Sequence, residues 1–168
     1  MFPHRRRTSS RRACALVDNF NVTLVSNMWA LRASVFGGAI SLTALLTHSC
    51  GSLADIGPRD VPLQPPDWAF KVAWLCLYAT TGAAWALSGE AVDLVFGAIT
   101  LLCCSWLFAY ACLRRKVLGA VILAVAVLLV VCTAVAIGGL SGGLLVPLAA
   151  WLAFATYLNA YDAASTRK

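Results

Sequence analysis

Along this chain the apolar positions show neither a helical stripe nor a strand alternation; they run on with no polar face. Five stretches behave this way, at 28–47, 68–87, 91–113, 117–137 and 144–161. A helix crossing the hydrocarbon core needs about 20 mainly apolar residues, and each stretch approaches that length. The first carries one charge, Arg32, in its opening turn, the second only Lys71, the third Asp93 at its entrance, and the fourth none. The last opens on Val146-Pro147, a proline that a first helical turn tolerates. Lipid-spanning strands must alternate in polarity and close into a barrel, and these segments are too long and too uniformly apolar for that. The pattern predicts an all-α fold: a bundle of five transmembrane helices over 28–161, between a basic tail at 1–27 and a short tail at 162–168.

The connectors near Ser88-Gly89-Glu90, Arg114-Arg115-Lys116 and Gly138–Gly143 are short, which makes successive helices antiparallel neighbours. The connector at 48–67 is long and contains Pro58, Pro62, Pro65 and Pro66. It reads either as a binding loop or as a rigid spacer over the mouth of the bundle.

Composition narrows the class. With 61% hydrophobic and 12% charged residues, the chain has about half the charge of a soluble domain. That excludes a soluble enzyme, a disordered chain and a small disulfide-stapled module. The lipid bilayer is the expected surrounding, and no nucleic-acid partner is expected. The net charge of +6 gathers at the ends. Arg5, Arg6, Arg7, Arg11 and Arg12 stand with Thr8, Ser9 and Ser10, before the first acid, Asp18. This suits either a mitochondrial address or a tail held on an anionic leaflet. Orientation stays open, because five basic residues in the tail face six on the other side: Arg59, Arg114, Arg115, Lys116, Arg167 and Lys168.

Catalytic chemistry has little to work with. The seven cysteines form no CxxC pair and read as small packing residues. His4 and His48 give no metal-ligand spacing, and no nucleophile stands near a histidine and an acid. No metal and no covalent cofactor are expected.

The aromatic residues are more informative. At helical spacing Trp74, Tyr78 and Trp85 share one face of the second span, with Thr81 between them. Trp106 and Tyr110 lie a turn apart on the third, and Trp151, Ala155 and Leu158 form a stripe on the fifth, with Asn159 beside it. Trp29, Trp68 and Tyr161 lie at span ends, where an interfacial belt accounts for them. Trp74 and Trp151 lie well inside. An indole N–H at that depth wants a partner or a ligand, although plain helix packing also accommodates such rings. Asn159 must face the bundle and bond a neighbour. Lys71 and Arg32 can snorkel to the interface and need no functional account. Ala33, Gly37 and Ser41 form a small-residue stripe for close helix approach, within the bundle or between protomers.

Two blocks carry a resemblance. Residues 65–78, PPDWAFKVAWLCLY, resemble the Pro-Pro, Trp, Trp, Tyr block that opens the second helix of the translocator protein family (TspO/MBR, the peripheral benzodiazepine receptor family). Residues 147–159, PLAAWLAFATYLN, are similar to that family's fifth-helix block, and Trp106 and Arg114 keep its spacing in and after the third helix. The resemblance implies a five-helix bundle, usually a homodimer, with a pocket opening beneath the first loop. It implies hydrophobic small-molecule ligands: porphyrin or heme, sterols such as cholesterol, and benzodiazepine-like drugs. On this resemblance the ligand-binding residues are Trp74, Tyr78, Trp106, Trp151, Ala155, Leu158 and Asn159. A sterol motif at the end of the fifth helix is met loosely by Leu158, Tyr161 and Arg167. The resemblance further implies the mitochondrial outer membrane in a eukaryotic setting and the cell membrane otherwise.

The chain departs from the family where Asp60, Val61, Pro62, Leu63 and Gln64 replace a tryptophan and a Lys-Pro pair. It also departs at Cys103, Cys104, Leu107 and Phe108, and at Lys71, which stands for a small residue. Three functions follow. The first is a receptor or translocator for a flat hydrophobic ligand. The second is a porphyrin-degrading enzyme using Trp74 and Trp151, and the third is a membrane signalling or packing module without a small ligand.

Overall fold

The computed structural model describes residues 28, 30–50 and 65–165, among which every regular element is helical. The long helices are α1 (Ala30–His48), α2 (Asp67–Ser88), α3 (Asp93–Ala111), α4 (Lys116–Ile137) and α6 (Val146–Ser165). A 3-10 turn, Glu90–Val92, leads into α3, and a short α5, Gly139–Gly143, leads towards α6. The N-terminal arginines, Trp29, residues 51–64 of the long connector, and Arg167 lie outside the described residues.

Four of these segments are long and apolar enough to cross a membrane, and α2 is the exception. Its 22 residues are long enough, but Lys71, three tryptophans, Tyr78, Thr80 and Thr81 lower its hydropathy. The least greasy helix is thus the one that carries the aromatic face.

Two boundaries differ from the sequence-based expectation. The connector after α4 is helical: Gly138 (φ 64°) and Gly139 (φ 54°) turn the chain through left-handed backbone, and α5 follows directly. The last helix runs on to Ser165, past 161, because Asp162 is buried and paired rather than part of a solvated tail.

Phe36 and Ile40 of α1, Leu77 and Ala84 of α2, Phe96 and Ile99 of α3, Leu123 and Val130 of α4, and Leu148 and Leu152 of α6 meet in one core. The outward faces are apolar as well, with Leu45 72%, Val135 77% and Leu94 88% exposed. A bundle apolar inside and out has hydrocarbon as its solvent.

The stripe Ala33, Gly37, Ser41 is used inside the bundle. A Cβ placed on Gly82 of α2 would lie 2.4 Å from the Ala33 Cβ, and one on Gly37 would lie 2.9 Å from the Tyr78 ring. Ser41 Oγ is 3.5 Å from Tyr78 Oη. Small residues on both helices let the backbones of α1 and α2 nearly touch.

Arg32 corrects the snorkelling expectation. It is 5% exposed, and its guanidinium donates to the Trp85 carbonyl at 3.0 Å and to Asp93 Oδ1 at 2.8 Å. Trp85 Nε1 donates to the same Asp93 oxygen, the guanidinium lies 5.6 Å over the Trp85 ring, and that ring stacks on Phe96. A cation held this way ties α1, α2 and the start of α3 into one unit.

The cysteines also need correction. Cys50, just past α1, is disulfide-bonded to Cys112, just past α3, so these helices are covalently joined at the face that bears the long connector. A 62-residue separation with no CxxC spacing leaves no trace in the sequence. Cys76, Cys103, Cys104 and Cys132 are free thiols.

Candidate ligand site

The second and last long helices bring their indoles together. Trp74 of α2 and Trp151 of α6 meet edge to face with ring centroids 6.5 Å apart. Phe70 packs on Trp151 at 5.4 Å, Tyr78 lies 5.8 Å from Trp74, and Phe154 lies 6.0 Å from Trp151. Phe36 of α1 closes the row against Tyr78 at 6.0 Å. Residues 70, 74 and 78 recur every fourth position, so one face of α2 is a wall of rings. Both tryptophans are half-buried. Thr81 lies one turn beyond Tyr78 and is fully buried. Its Oγ1 is the one buried side-chain polar atom without a hydrogen-bond partner among the described residues.

Trp85 does not join this wall. It shares the helical face of Trp74 but stands eleven residues away, about 16 Å along the axis, and is engaged with Arg32 and Asp93.

Trp106 and Asn159 form a second group. Trp106 Nε1 donates to Asn159 Oδ1 at 3.2 Å, and Asn159 Nδ2 donates to the Ala155 carbonyl at 2.9 Å, so both ends of the amide are engaged. Gly119 of α4 lets this pair approach: a Cβ there would lie 3.2 Å from Asn159 Oδ1 and 3.4 Å from the Trp106 ring. One turn further, Tyr110 Oη donates to Asp162 Oδ2 at 2.9 Å and Lys116 Nζ bonds Asp162 Oδ1 at 2.8 Å. Asp162 is 4% exposed, and this ladder fastens α3, α4 and α6. Sequence reasoning left Asp162 out of its sites, although a lone acid directly after the last span, on the same side of the bundle as the basic connector, was available as a signal.

Ala155 and Leu158 are buried on α6, one on the turn between Trp151 and Asn159 and the other next to Asn159. The expected ligand residues therefore divide into an aromatic wall, with Trp74, Tyr78 and Trp151, and a hydrogen-bonded pair, with Trp106 and Asn159. Of the sterol motif, Leu158 points inward and Tyr161 is 41% exposed, packed at 6.3 Å from Tyr157.

The TspO/MBR family model matches residues 28–162. The chain belongs to the TspO/MBR family. No curated protein matches it. The matched stretch begins just ahead of α1 and ends at Asp162, so it takes in the long helices up to the last turn of α6, with the aromatic wall and the Asp162 ladder. As a TspO/MBR protein with apolar helices of spanning length, it is an integral membrane protein.

Proposed function

We propose that this TspO/MBR protein is a membrane receptor or translocator that holds a flat hydrophobic ligand, a porphyrin such as heme or a sterol, against the wall formed by Trp74, Tyr78 and Trp151. The observation that carries the reading is the edge-to-face meeting of the two half-buried indoles from α2 and α6. Aromatic walls with few polar groups suit flat apolar molecules. The chemistry of the site favours binding over turnover, because the rings offer stacking surface and, among the described residues, no acid–base pair stands beside them. Ala155 lies one turn beyond Trp151 and is buried in the core behind it. Trp106 and Asn159 act as the brace that keeps α6 in register with α3.

Heme titration with tryptophan fluorescence as the readout tests this. Wild type is expected to quench saturably. Trp151→Ala is expected to bind about tenfold more weakly, in line with the loss of roughly 1–1.5 kcal/mol of ring contact. Identical titration curves for the two proteins would remove the pocket assignment.

A further inference from the structure

We propose that a groove between α1, α3 and α4, separate from the aromatic wall, holds an acyl chain of an anionic phospholipid whose phosphate rests on Arg114 and Arg115. The groove has a volume of about 430 Å³ and is lined by Thr43 of α1, Cys104 and Phe108 of α3, Leu113, and Leu118 and Ile122 of α4. That volume lies within the range of small-molecule sites, about 300–1,000 Å³. The lining is mostly apolar; of its two hydroxyl residues, Thr43 and Ser105, Thr43 donates to the Ala39 carbonyl at 2.8 Å. Phe108, Leu113 and Leu118 are each about half exposed, which opens the groove towards lipid.

Charge selects the occupant. Leu113 and Leu118 flank the basic connector, and Arg114 and Arg115 are both exposed there and form no ion pair among the described residues. Lys116, the next residue, is bonded to Asp162, so the two arginines carry the surplus charge. Guanidinium forks match phosphate oxygens, and basic groups at the rim of a transmembrane crevice attract anionic headgroups.

Arg114 adds an independent observation. It is the one described non-glycine residue with positive φ, at 51°, and just past the end of α3 the Arg115 N–H beside it donates to the Ala109 carbonyl at 3.1 Å. Glycine fits that position without strain. An arginine there holds left-handed backbone at a cost that glycine would not carry.

The test is native mass spectrometry of the full chain in a nonionic detergent, with equimolar phosphatidylglycerol and phosphatidylcholine added. Wild type is expected to keep one phosphatidylglycerol with at least a fivefold preference. Arg114→Gly combined with Arg115→Gln is expected to lose that preference while its Tm stays level or rises, since glycine relieves the backbone. Leu118→Trp, which fills the groove, is expected to shed both lipids. The proposal is overturned if wild type shows no preference, if the double variant keeps it, or if the groove is covered by a second copy in a lipid-free dimer.

Discussion

Asp93→Ala is expected to lower the unfolding free energy in detergent by about 3 kcal/mol, near the lower end for breaking a buried ion pair. The lower end applies because the Asp93 side chain is itself 46% exposed, so its own charge is partly screened. The loss falls mainly on the partners left behind. Arg32 would remain buried with only the Trp85 carbonyl as acceptor, and Trp85 Nε1 would lose its acceptor. A fall in Tm of roughly 6–12 °C corresponds to that energy for a domain of this size. The double variant Arg32→Met/Asp93→Ala should be more stable than Asp93→Ala alone, because the stranded cation is gone and an apolar chain fills its place. If the single and double variants melt together, Arg32 is hydrated and the cluster is not a buried tie.

Gly82→Ala is expected to cost a similar amount, about 3 kcal/mol, at the upper end of ordinary overpacking. The added methyl would meet the Ala33 Cβ at 2.4 Å and the Ala33 Cα at 2.6 Å. One of those atoms is backbone, so no rotamer change relieves the clash and α1 must move off α2. Ala33→Gly in the same chain removes the closer contact but not the Cα, and should recover only part of the loss. Gly97→Ala is the control: it meets nothing within 4 Å and should leave Tm level or slightly raised. Full recovery in the double variant, or no loss in the single one, would mean that α1 and α2 are not packed backbone to backbone. Because Gly37 contacts Tyr78, such movement would also disturb the wall through Phe36 and Tyr78, so ligand affinity should fall with stability.

The bundle was legible because bilayer thickness dictates segment length and because uniform apolarity leaves no other solvent. The rings of Trp74, Tyr78 and Trp151 could be placed on their faces by counting in fours. Trp85 shows the limit of that counting. It lies on the same stripe, but the partner that claims it is Asp93, eight residues on and across a turn, and helical periodicity says nothing about the neighbouring helix. Arg32 was misread for a related reason. A cation one turn from a span end looks free to reach the interface, and only the tertiary position of Asp93 shows why it stays inside. The Cys50–Cys112 pair is closed by topology alone, since α1 and α3 end on the same face. Asn159 was placed correctly as a buried amide needing a neighbour, but its partner, Trp106, follows from the close approach at Gly119.

The central claim is that Trp74 and Trp151 line one ligand site, and fluorine NMR of the protein labelled with 5-fluorotryptophan tests it most directly. The six signals are assigned by single Trp→Phe variants, and protoporphyrin IX is then titrated in. The account predicts that the Trp74 and Trp151 resonances shift together with one midpoint, while that of Trp68, 67% exposed at the start of α2, stays in place. Movement of Trp68 alone, or different midpoints for Trp74 and Trp151, would contradict it.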